Sequence, residues 1–393
     1  MIIFRIFYKI FLMESINSTF KETSIVNIDD FIPTRKNIKF IDLFAGIGGF
    51  RYSFDKLGCK CVFSSEINEA CQRVYEMNFG DKPFGDITKV DVDIIPDFDI
   101  LCAGFPCQPF SICGKKRGFE DTRGTLFFEI CKIIQKKNPS VIFLENVKHL
   151  THHDGGKTFS VIISSLENLG YNVAYKILNS KDFGVAQSRE RIIIIATRKG
   201  VFDFGKLKKC NPVYIKDILD RDNYKDFEYL EKKEYTLIDK SLVQIQESGL
   251  IFVGYRNKSI WKKGVREHTE HLSRVHRQPN RIYSIEGVHP TIPSQETSGR
   301  FWIYDEKNDI VRKLTLNECY KLMGFPDNFK RDTNKSNAYK QIGNSVVIPM
   351  ICEIAKSIIE QGFSNGKNGE FSEKRNNLGS DNQRVQEEFD FCS

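Results

Sequence analysis

Short apolar runs alternate with amphipathic segments along the first two hundred residues of the chain. Six runs have the length and composition of buried strands, at residues 38–44, 60–65, 99–102, 141–144, 171–178 and 192–197. Helical periodicity separates several of them, at residues 49–57, 69–78, 125–136 and 158–169. Strands that alternate with helices predict an α/β fold with a doubly wound, mainly parallel sheet.

This alternation stops near Gly200, where Lys, Tyr, Asp and Glu become frequent and the apolar runs become brief. Helical pattern returns at residues 316–322 and 345–360. We therefore predict a catalytic domain built from residues 38–201 and 305–361, interrupted by a smaller second domain at 202–304.

The two ends of the chain are expected to lie outside these domains. Residues 1–37 are interpreted as an N-terminal extension, with Met13 a candidate initiator, because the apolar start contains Arg5 and Lys9 and has no cleavage site. It is also too short to span a bilayer, so no membrane association is expected. Residues 362–393 have few apolar side chains and are expected to be disordered.

Charge and cysteine content narrow the class of protein. The formal net charge of +7 suits a nucleic-acid partner without requiring one. The chain has 11 cysteines, an odd number, and contains no CxxC pair. We expect neither a disulfide framework nor a metal site, and a cytoplasmic location.

Acidic and glycine residues follow the first three predicted strands. Gly46, Gly48 and Gly49 lie where the first strand turns into a helix, which lets a ligand approach backbone N–H groups. Glu66 follows roughly twenty residues later, where an acid in this fold class binds a ribose hydroxyl. Asp86 ends a third loop and could accept a hydrogen bond from an adenine amino group. The three together favour a cofactor that contains adenosine.

Cys107 lies in the segment Gly-Phe-Pro-Cys-Gln-Pro-Phe-Ser, directly after the strand at 99–102. A cysteine between two prolines in a polar loop cannot pack like a core residue, and the carboxyl edge of an open α/β sheet binds ligands. Both features favour a role for Cys107 as a nucleophile. Together with FIDLFAGIGGF, Glu-Asn-Val at 145–147, Gln-Ser-Arg-Glu-Arg at 187–191 and Gln-Ile-Gly-Asn-Ser-Val at 341–346, the segment resembles the ordered motifs of DNA (cytosine-5)-methyltransferases.

The resemblance implies transfer of a methyl group from S-adenosyl-L-methionine to carbon 5 of a flipped cytosine in duplex DNA. Cys107 would add to carbon 6, and Glu145 would be protonated or share its proton with N3. Arg189 and Arg191 would hold the cytosine O2; the alternative is a salt-bridged pair at a strand start. The resemblance places ten residues around the cofactor: Phe44, Gly46, Gly48, Glu66, Ile67, Asp86, Ile87, Pro106, Asn344 and Ser345.

DNA contacts are expected from two regions. The glycine-punctuated run at 111–123 resembles the family's mobile loop, whose phosphate contacts would be Ser111, Lys115, Lys116, Arg117 and Arg123. The region 202–304 corresponds to the target-recognition domain, and residues 251–281 hold eight Lys or Arg against two acids. Its candidates are Arg256, Arg274, Arg277 and Gln278 for base edges or phosphates, and Thr291 for support of the recognition loops.

Two other functions remain open at this point. One branch of the family acts on transfer RNA, although its recognition region is expected to be smaller than the hundred or so residues available here. A catalytically silent DNA-binding relative would be expected to lack Cys107 or Glu145, and both are present. By analogy we expect a monomer in a restriction-modification system, with any cognate restriction endonuclease acting as a separate protein.

Overall fold

The computed structural model describes residues 37–106, 125–220, 227–257, 268–294 and 301–363. The predicted N-terminal extension, most of the predicted tail and the segment 107–124 lie outside these residues. Within them the chain forms two six-stranded sheets and a two-stranded ladder that joins their regions.

The first sheet has the strand order β2-β1-β3-β4-β7-β5. Five strands run in one direction and only β7 is reversed, because it pairs antiparallel with both β4 and β5. The strands are β1 (Lys39–Leu43), β2 (Lys60–Ser65), β3 (Ile100–Ala103), β4 (Val141–Val147), β5 (Asn172–Asn179) and β7 (Glu190–Thr197). The predicted strands are therefore confirmed, and so is the doubly wound α/β fold class.

Side chains of successive strand residues enter two cores, one on each face of this sheet. Phe40 and Phe143 pack in one core, whereas Ile41 and Ile142 pack in the other. The helices that cover the faces are α1 (Gly49–Lys56), α2 (Glu69–Phe79), α3 (Thr125–Lys137), α4 (Lys157–Asn168), α5 (Ile215–Ile218), α6 (Leu316–Lys321), α7 (Lys335–Asn344) and α8 (Ile348–Glu360). Burial on both faces explains why the strands are continuous apolar runs.

The C-terminal helices pack onto the first sheet's layer. Helix α8 lies against α1, where Cys352 Sγ approaches the carbonyl oxygen of Ser53 at 3.8 Å. The predicted helix at 345–360 is wrong at its start, because Ser345 is extended and Pro349 lies in the first turn of α8. The stretch Lys335–Glu360, which spans α7 and α8, passes a length and hydropathy test for a membrane span, but 78% of its apolar 18-residue window is buried, as in the core of a folded domain.

The second sheet has the strand order β8-β14-β13-β11-β10-β9. Only β11 and β13 are parallel; the other neighbours are antiparallel. Its strands are β8 (Tyr229–Leu230), β9 (Tyr235–Leu237), β10 (Phe252–Arg256), β11 (Arg281–Ser284), β13 (Trp302–Asp305) and β14 (Ile310–Lys313).

The second sheet extends beyond residue 304, the predicted end of the second domain, because β14 completes a hairpin with β13. Phe202, Val213 and Ile215 pack in the first core instead. The domain boundaries stay a prediction.

A short parallel ladder joins the two regions. Strand β6 (Gln187–Ser188) pairs with β12 (His289–Pro290). The first lies in the Gln-Ser-Arg-Glu-Arg motif and the second directly precedes Thr291. Residues far apart in sequence therefore meet immediately beside the ends of β4 and β7.

Candidate active site

The turn after β1 combines glycine and positive backbone dihedrals. Gly46 and Gly48 have φ of 56° and 90°, and Phe44 also has a positive φ of 56°. A Cβ on Gly48 would overlap the ring of Phe79, so glycine is required there by both dihedral and space. A Cβ on Gly46 would have nothing within 4 Å. The turn is therefore packed beneath and open above, as a ligand-binding turn must be.

Glu66 is held against this turn. One carboxylate oxygen accepts a hydrogen bond from Gly46 N at 2.8 Å, and the other accepts from Asn68 N at 2.7 Å. The next side chain, Ile67, is 69% exposed, an unusual position for a large aliphatic residue. An oriented carboxylate beside an exposed apolar side chain suits a ribose and the face of an adenine ring.

Asp86 lies at the next loop along the same edge. Its carboxylate accepts hydrogen bonds from the Thr88 hydroxyl at 2.8 Å and the Thr88 amide at 3.0 Å. The hydroxyl bond lowers the pKa of Asp86 from its usual value, so the side chain is an anionic acceptor at neutral pH. Ile87 was predicted to contact the cofactor as well, but its side chain is 6% exposed and packs in the core under the loop.

The C-terminal motif reaches the same turn. A Cβ on Gly49 would lie 2.5 Å from Val346 Cγ2 and 3.1 Å from Ser345 Oγ, so this glycine allows close packing of α1 on the segment after α7. Asn344 is exposed and Ser345 half-buried. Pro106 is exposed three residues after the end of β3. These residues fit an adenosine cofactor, because open space, acceptors and an apolar surface lie at one sheet edge.

Glu145 and Arg191 meet at the adjacent ends of β4 and β7. Arg191 Nε donates to Glu145 Oε1 at 2.9 Å, and each side chain is 10% exposed. Burial lowers the pKa of Arg191, and the nearby Glu145 opposes this shift. Gly104 lies close to the same group, since a Cβ there would be 3.7 Å from Glu145 Oε2. A carboxyl group and a guanidinium are thus fixed side by side, where both could contact one planar ring.

Arg189 does not join this pair. Its guanidinium donates hydrogen bonds to three backbone carbonyl oxygens, those of Ile292 at 3.0 Å, Gly343 at 2.9 Å and Ser345 at 2.9 Å. The residue is 2% exposed, and burial lowers its pKa well below the usual range. The predicted contact with a cytosine O2 is therefore not supported for Arg189. The geometry favours Arg191, whose side chain reaches Glu145.

Two residues near the site had no individual role in the sequence predictions. Asn146 Nδ2 donates to Phe105 O at 2.8 Å and so anchors the chain two residues before Cys107. Gln187 accepts from Ile292 N at 2.9 Å and donates to Leu322 O at 3.0 Å. Each lies inside a quoted motif, which is the signal that could have identified them. Cys107 itself lies outside the described residues.

The candidate recognition residues lie on or beside the second sheet. Arg274, Arg277 and Gln278 are exposed between β10 and β11. Arg256 is different, because its guanidinium lies 5.1 Å from the ring centroid of Trp302. The Thr291 hydroxyl donates to Ser188 O at 2.8 Å, which ties this segment to β6. Outside the described residues lie the loop candidates Ser111, Lys115, Lys116, Arg117 and Arg123.

The described residues contain no group of three or more His, Cys, Asp or Glu side chains arranged to bind a metal ion. His153, in the loop after β4, instead shares a hydrogen bond of 2.8 Å with the Thr158 hydroxyl.

Comparison with known proteins agrees with this geometry. The family profile of C-5 cytosine-specific DNA methylases matches residues 38–360. The chain is 41% identical over 330 residues to the type II methyltransferase M.HhaI of Haemophilus parahaemolyticus, covering 82% of this chain and 94% of that protein. It is 43% identical over 329 residues to the type II methyltransferase M.HaeII of Haemophilus aegyptius, covering 82% and 93%.

Solved structures agree at the level of the fold. The Entamoeba histolytica methyltransferase EhMeth aligns with a TM-score of 0.60 at 20% identity, covering 83% of this chain and 99% of that one. The S. pombe Dnmt2 methyltransferase aligns with a TM-score of 0.59 at 20% identity, covering 83% and 99%. The family resemblance predicted from the motifs is thus confirmed: the chain belongs to the C-5 cytosine-specific DNA methylases.

Proposed function

We propose that this protein methylates carbon 5 of a cytosine within a short duplex DNA sequence, as the modification enzyme of a type II restriction-modification system. The observation that carries the proposal is the buried Glu145–Arg191 pair, beside which Asn146 anchors the backbone at Phe105, two residues before Cys107. The type II methyltransferases to which the chain is similar support the setting. A cognate endonuclease would be a separate protein, and the methyltransferase would act as a monomer.

S-adenosyl-L-methionine would supply an electrophilic methyl group when bound. Glu66 would accept from its ribose, and Asp86 from its adenine amino group. Ile67 would pack on the adenine, while Phe44, Gly46, Gly48, Pro106, Asn344 and Ser345 would surround the rest. The fit rests on the open space above Gly46 and on the exposure of Ile67.

Cys107 would be the nucleophile. Carbon 5 of cytosine is too weak a nucleophile to attack a methyl donor directly, so a thiolate first forms a bond to carbon 6. The electron pair of the C5–C6 double bond then makes carbon 5 nucleophilic. Asn146 would position this chemistry by fixing the backbone at Phe105. After methyl transfer, loss of the C5 proton and cleavage of the C6–S bond would restore the aromatic ring and the thiolate.

Glu145 and Arg191 would stabilise the ring during this addition. Attack at carbon 6 increases electron density at N3 and O2, and Glu145 would share a proton with N3. The Arg191 guanidinium would donate to O2, while its Nε bond keeps the Glu145 carboxyl group in place. Arg189 would act indirectly, by holding the chain around Ser345 and Ile292.

Duplex DNA would lie between the catalytic edge and the second sheet, with the target nucleotide extruded from the stack. Arg274, Arg277 and Gln278 would contact base edges or phosphates, and Thr291 would support the recognition segment through β6. Transfer RNA is the alternative substrate. The six-stranded second sheet supports DNA, because the tRNA-modifying branch is expected to have a smaller recognition region.

Replacement of the nucleophile tests the proposal. The Cys107→Ser variant is expected to lose all detectable methyl transfer, while its affinity for duplex DNA stays within about threefold of the unmodified protein, because phosphate contacts dominate binding. Gel-shift titration and single-turnover transfer measure the two properties. Full activity in the variant, or loss of DNA binding together with the fold, would contradict the assigned role.

A further inference from the structure

The segment that carries three candidate recognition side chains has little regular structure. Residues 268–280 contain only two one-turn 3-10 helices, and they pair with no strand within the described part of the chain. Arg274, Arg277 and Gln278 are exposed on this segment. Backbone ladders therefore do not determine where these side chains point, and another contact must.

His276 makes that contact, because it is the one residue from 274 to 279 that is buried, at 3% exposure. Its ring stacks on Tyr255 with centroids 4.2 Å apart and planes 16° apart. On β10 it also stacks against Phe252, at 5.5 Å and 30°. Stacking between two strand residues fixes both the position and the plane of the imidazole.

Two hydrogen bonds extend this anchor along the segment. The imidazole Nε2 lies 2.7 Å from the carbonyl oxygen of Glu270. A carbonyl oxygen can only accept, so Nε2 carries the hydrogen. The His276 carbonyl in turn accepts from Arg281 Nε on β11 at 2.9 Å. One residue thus connects the start of the segment, its middle and the second sheet.

We propose that His276 is a positioning residue for sequence recognition, which holds Arg274, Arg277 and Gln278 against the second sheet in the orientation that reads DNA. The inference rests on the proposed methylation of DNA, because these side chains need a duplex to read. His276 does not itself contact a base, since its ring is covered by β10. Its loss should therefore change which sequences are methylated more than it changes methyl transfer itself.

Protonation provides an independent test of this role. The imidazole Nδ1 is buried and has no hydrogen-bond partner among the described residues, so a second ring proton would be unsatisfied. The groups that face the ring are Tyr255 from β10, Arg281 from β11 and Glu270 from its own segment. Burial lowers the pKa of His276 from 6.5, and the Glu270 carbonyl partly opposes this.

Because the ordered segment prefers the neutral ring, its stability should decrease as the pH falls. A disordered segment takes up the proton near pH 6.5, whereas the ordered segment resists it. The stability that the neutral ring gives the ordered segment is therefore complete above that pH and is progressively lost below it. Sequence discrimination should fall in the same range.

The experiment is methylation of a random-sequence duplex library, followed by sequencing that locates 5-methylcytosine. His276→Ala removes the stack and the hydrogen bond, and should raise methylation of single-mismatch sites relative to the preferred site about tenfold, within the range that one base contact supplies. His276→Phe keeps the stack and should give an intermediate ratio. His271→Phe, in the same segment but outside the stack, is the matched control and should resemble the unmodified protein.

The pH arm separates positioning from general stability. Between about pH 7.5 and about pH 5.5 the ratio should rise in the unmodified protein and stay flat in His276→Phe, which has no titratable ring. Identical pH slopes in the two proteins, or an unchanged site preference in both variants, would overturn the proposal. If the unmodified protein leaves no 5-methylcytosine in any duplex, the proposed function itself fails.

Discussion

Glu145 and Arg191 were each predicted to contact the cytosine ring, and a single ion pair fixes the position of both side chains. Both side chains are almost fully buried, and their ion pair of 2.9 Å is the polar contact they share. A buried ion pair adds little net stability, but removal of one partner leaves an uncompensated charge. The ion pair therefore contributes mainly by fixing the relative position of a carboxyl group and a guanidinium.

A double-mutant cycle tests this interpretation. Arg191→Met should destabilise the fold by about 3 kcal/mol, because the Glu145 carboxylate loses its partner. The double variant with Glu145→Gln should recover part of that loss. Denaturant unfolding measures the free energies, and Lys148→Met is the control, because its bond to Glu190 joins side chains 47% and 46% exposed. Additive effects at positions 145 and 191 would show that the two side chains are not coupled.

The Glu145→Gln variant also has a kinetic prediction. It should lower single-turnover methyl transfer by at least about a hundredfold, the effect expected of a lost proton donor. Affinity for S-adenosylhomocysteine should stay unchanged, because Glu66 and Asp86 lie elsewhere on the sheet edge. A fully active variant would exclude the proposed N3 chemistry.

Asp42 provides a prediction that depends on pH. Its side chain is completely buried near the end of β1, and burial raises its pKa well above the usual range. The folded state therefore binds a proton that the unfolded chain releases near pH 4. The associated stability is complete below that pH and is lost as the pH rises toward the folded-state pKa.

Asp42→Asn should remove this dependence. As the pH rises from about 5 to about 8, the unfolding free energy of the unmodified protein should fall relative to the variant, by at most about 1.4 kcal/mol per pH unit. Chemical denaturation at several pH values measures this difference, and Asp327→Asn at an exposed position is the control. Parallel pH profiles for the Asp42 variant and the unmodified protein would mean that Asp42 is ionised when folded.

Among the elements, the C-terminus of α7 lies beside the segment around Ile292, and Arg189 contacts both. Its terminal carbonyls at Gly343 and Ser345 accept from Arg189, a favourable place for a cation at the negative end of a helix. The same guanidinium bonds Ile292 beside Thr291. The segment around Ser345 and the segment around Ile292 are therefore held by one buried side chain.

Gly343→Ala tests whether this packing matters. An added Cβ would overlap the carbonyl oxygen of Pro293, so the helix end and the recognition segment must separate. We expect a destabilisation of about 2 kcal/mol, in the range for overpacking, with weaker binding of both S-adenosylhomocysteine and DNA. Gly85→Ala is the control, because a Cβ there meets nothing within 4 Å. A Gly343→Ala protein with normal stability and binding would contradict the proposed connection.

Local sequence patterns predicted most strands and helices, but they did not predict contacts between residues that lie far apart in the chain. Strands such as β3 follow from apolar runs because both faces of the sheet are buried. The reversed direction of β7 leaves no trace in such a run. The partners of Arg189 lie 103, 154 and 156 residues away, so no local pattern could distinguish its structural role from that of Arg191. The order of the motifs predicts the site, whereas the different surroundings of its two arginines depend on contacts between residues far apart in the chain.

At the scale of the whole molecule, the proposal requires two sheets to act on one duplex. The first sheet presents the turn, the acids and the Glu145–Arg191 pair along one edge. The second sheet supports the segment with the exposed arginines, and the β6–β12 ladder joins the two. The proposed function thus places specificity and chemistry on separate elements, so changes in the second sheet should alter which site is modified.

Transfer of labelled methyl from S-adenosyl-L-methionine to mixed duplex DNA and, separately, to transfer RNA tests the central claim most directly. Nucleoside analysis of each product should find the label in 5-methylcytosine from DNA, confined to one short sequence, with none in the RNA. Label in the RNA alone would contradict DNA as the substrate while leaving the cytosine chemistry intact, and label in any nucleoside other than 5-methylcytosine would contradict the chemistry.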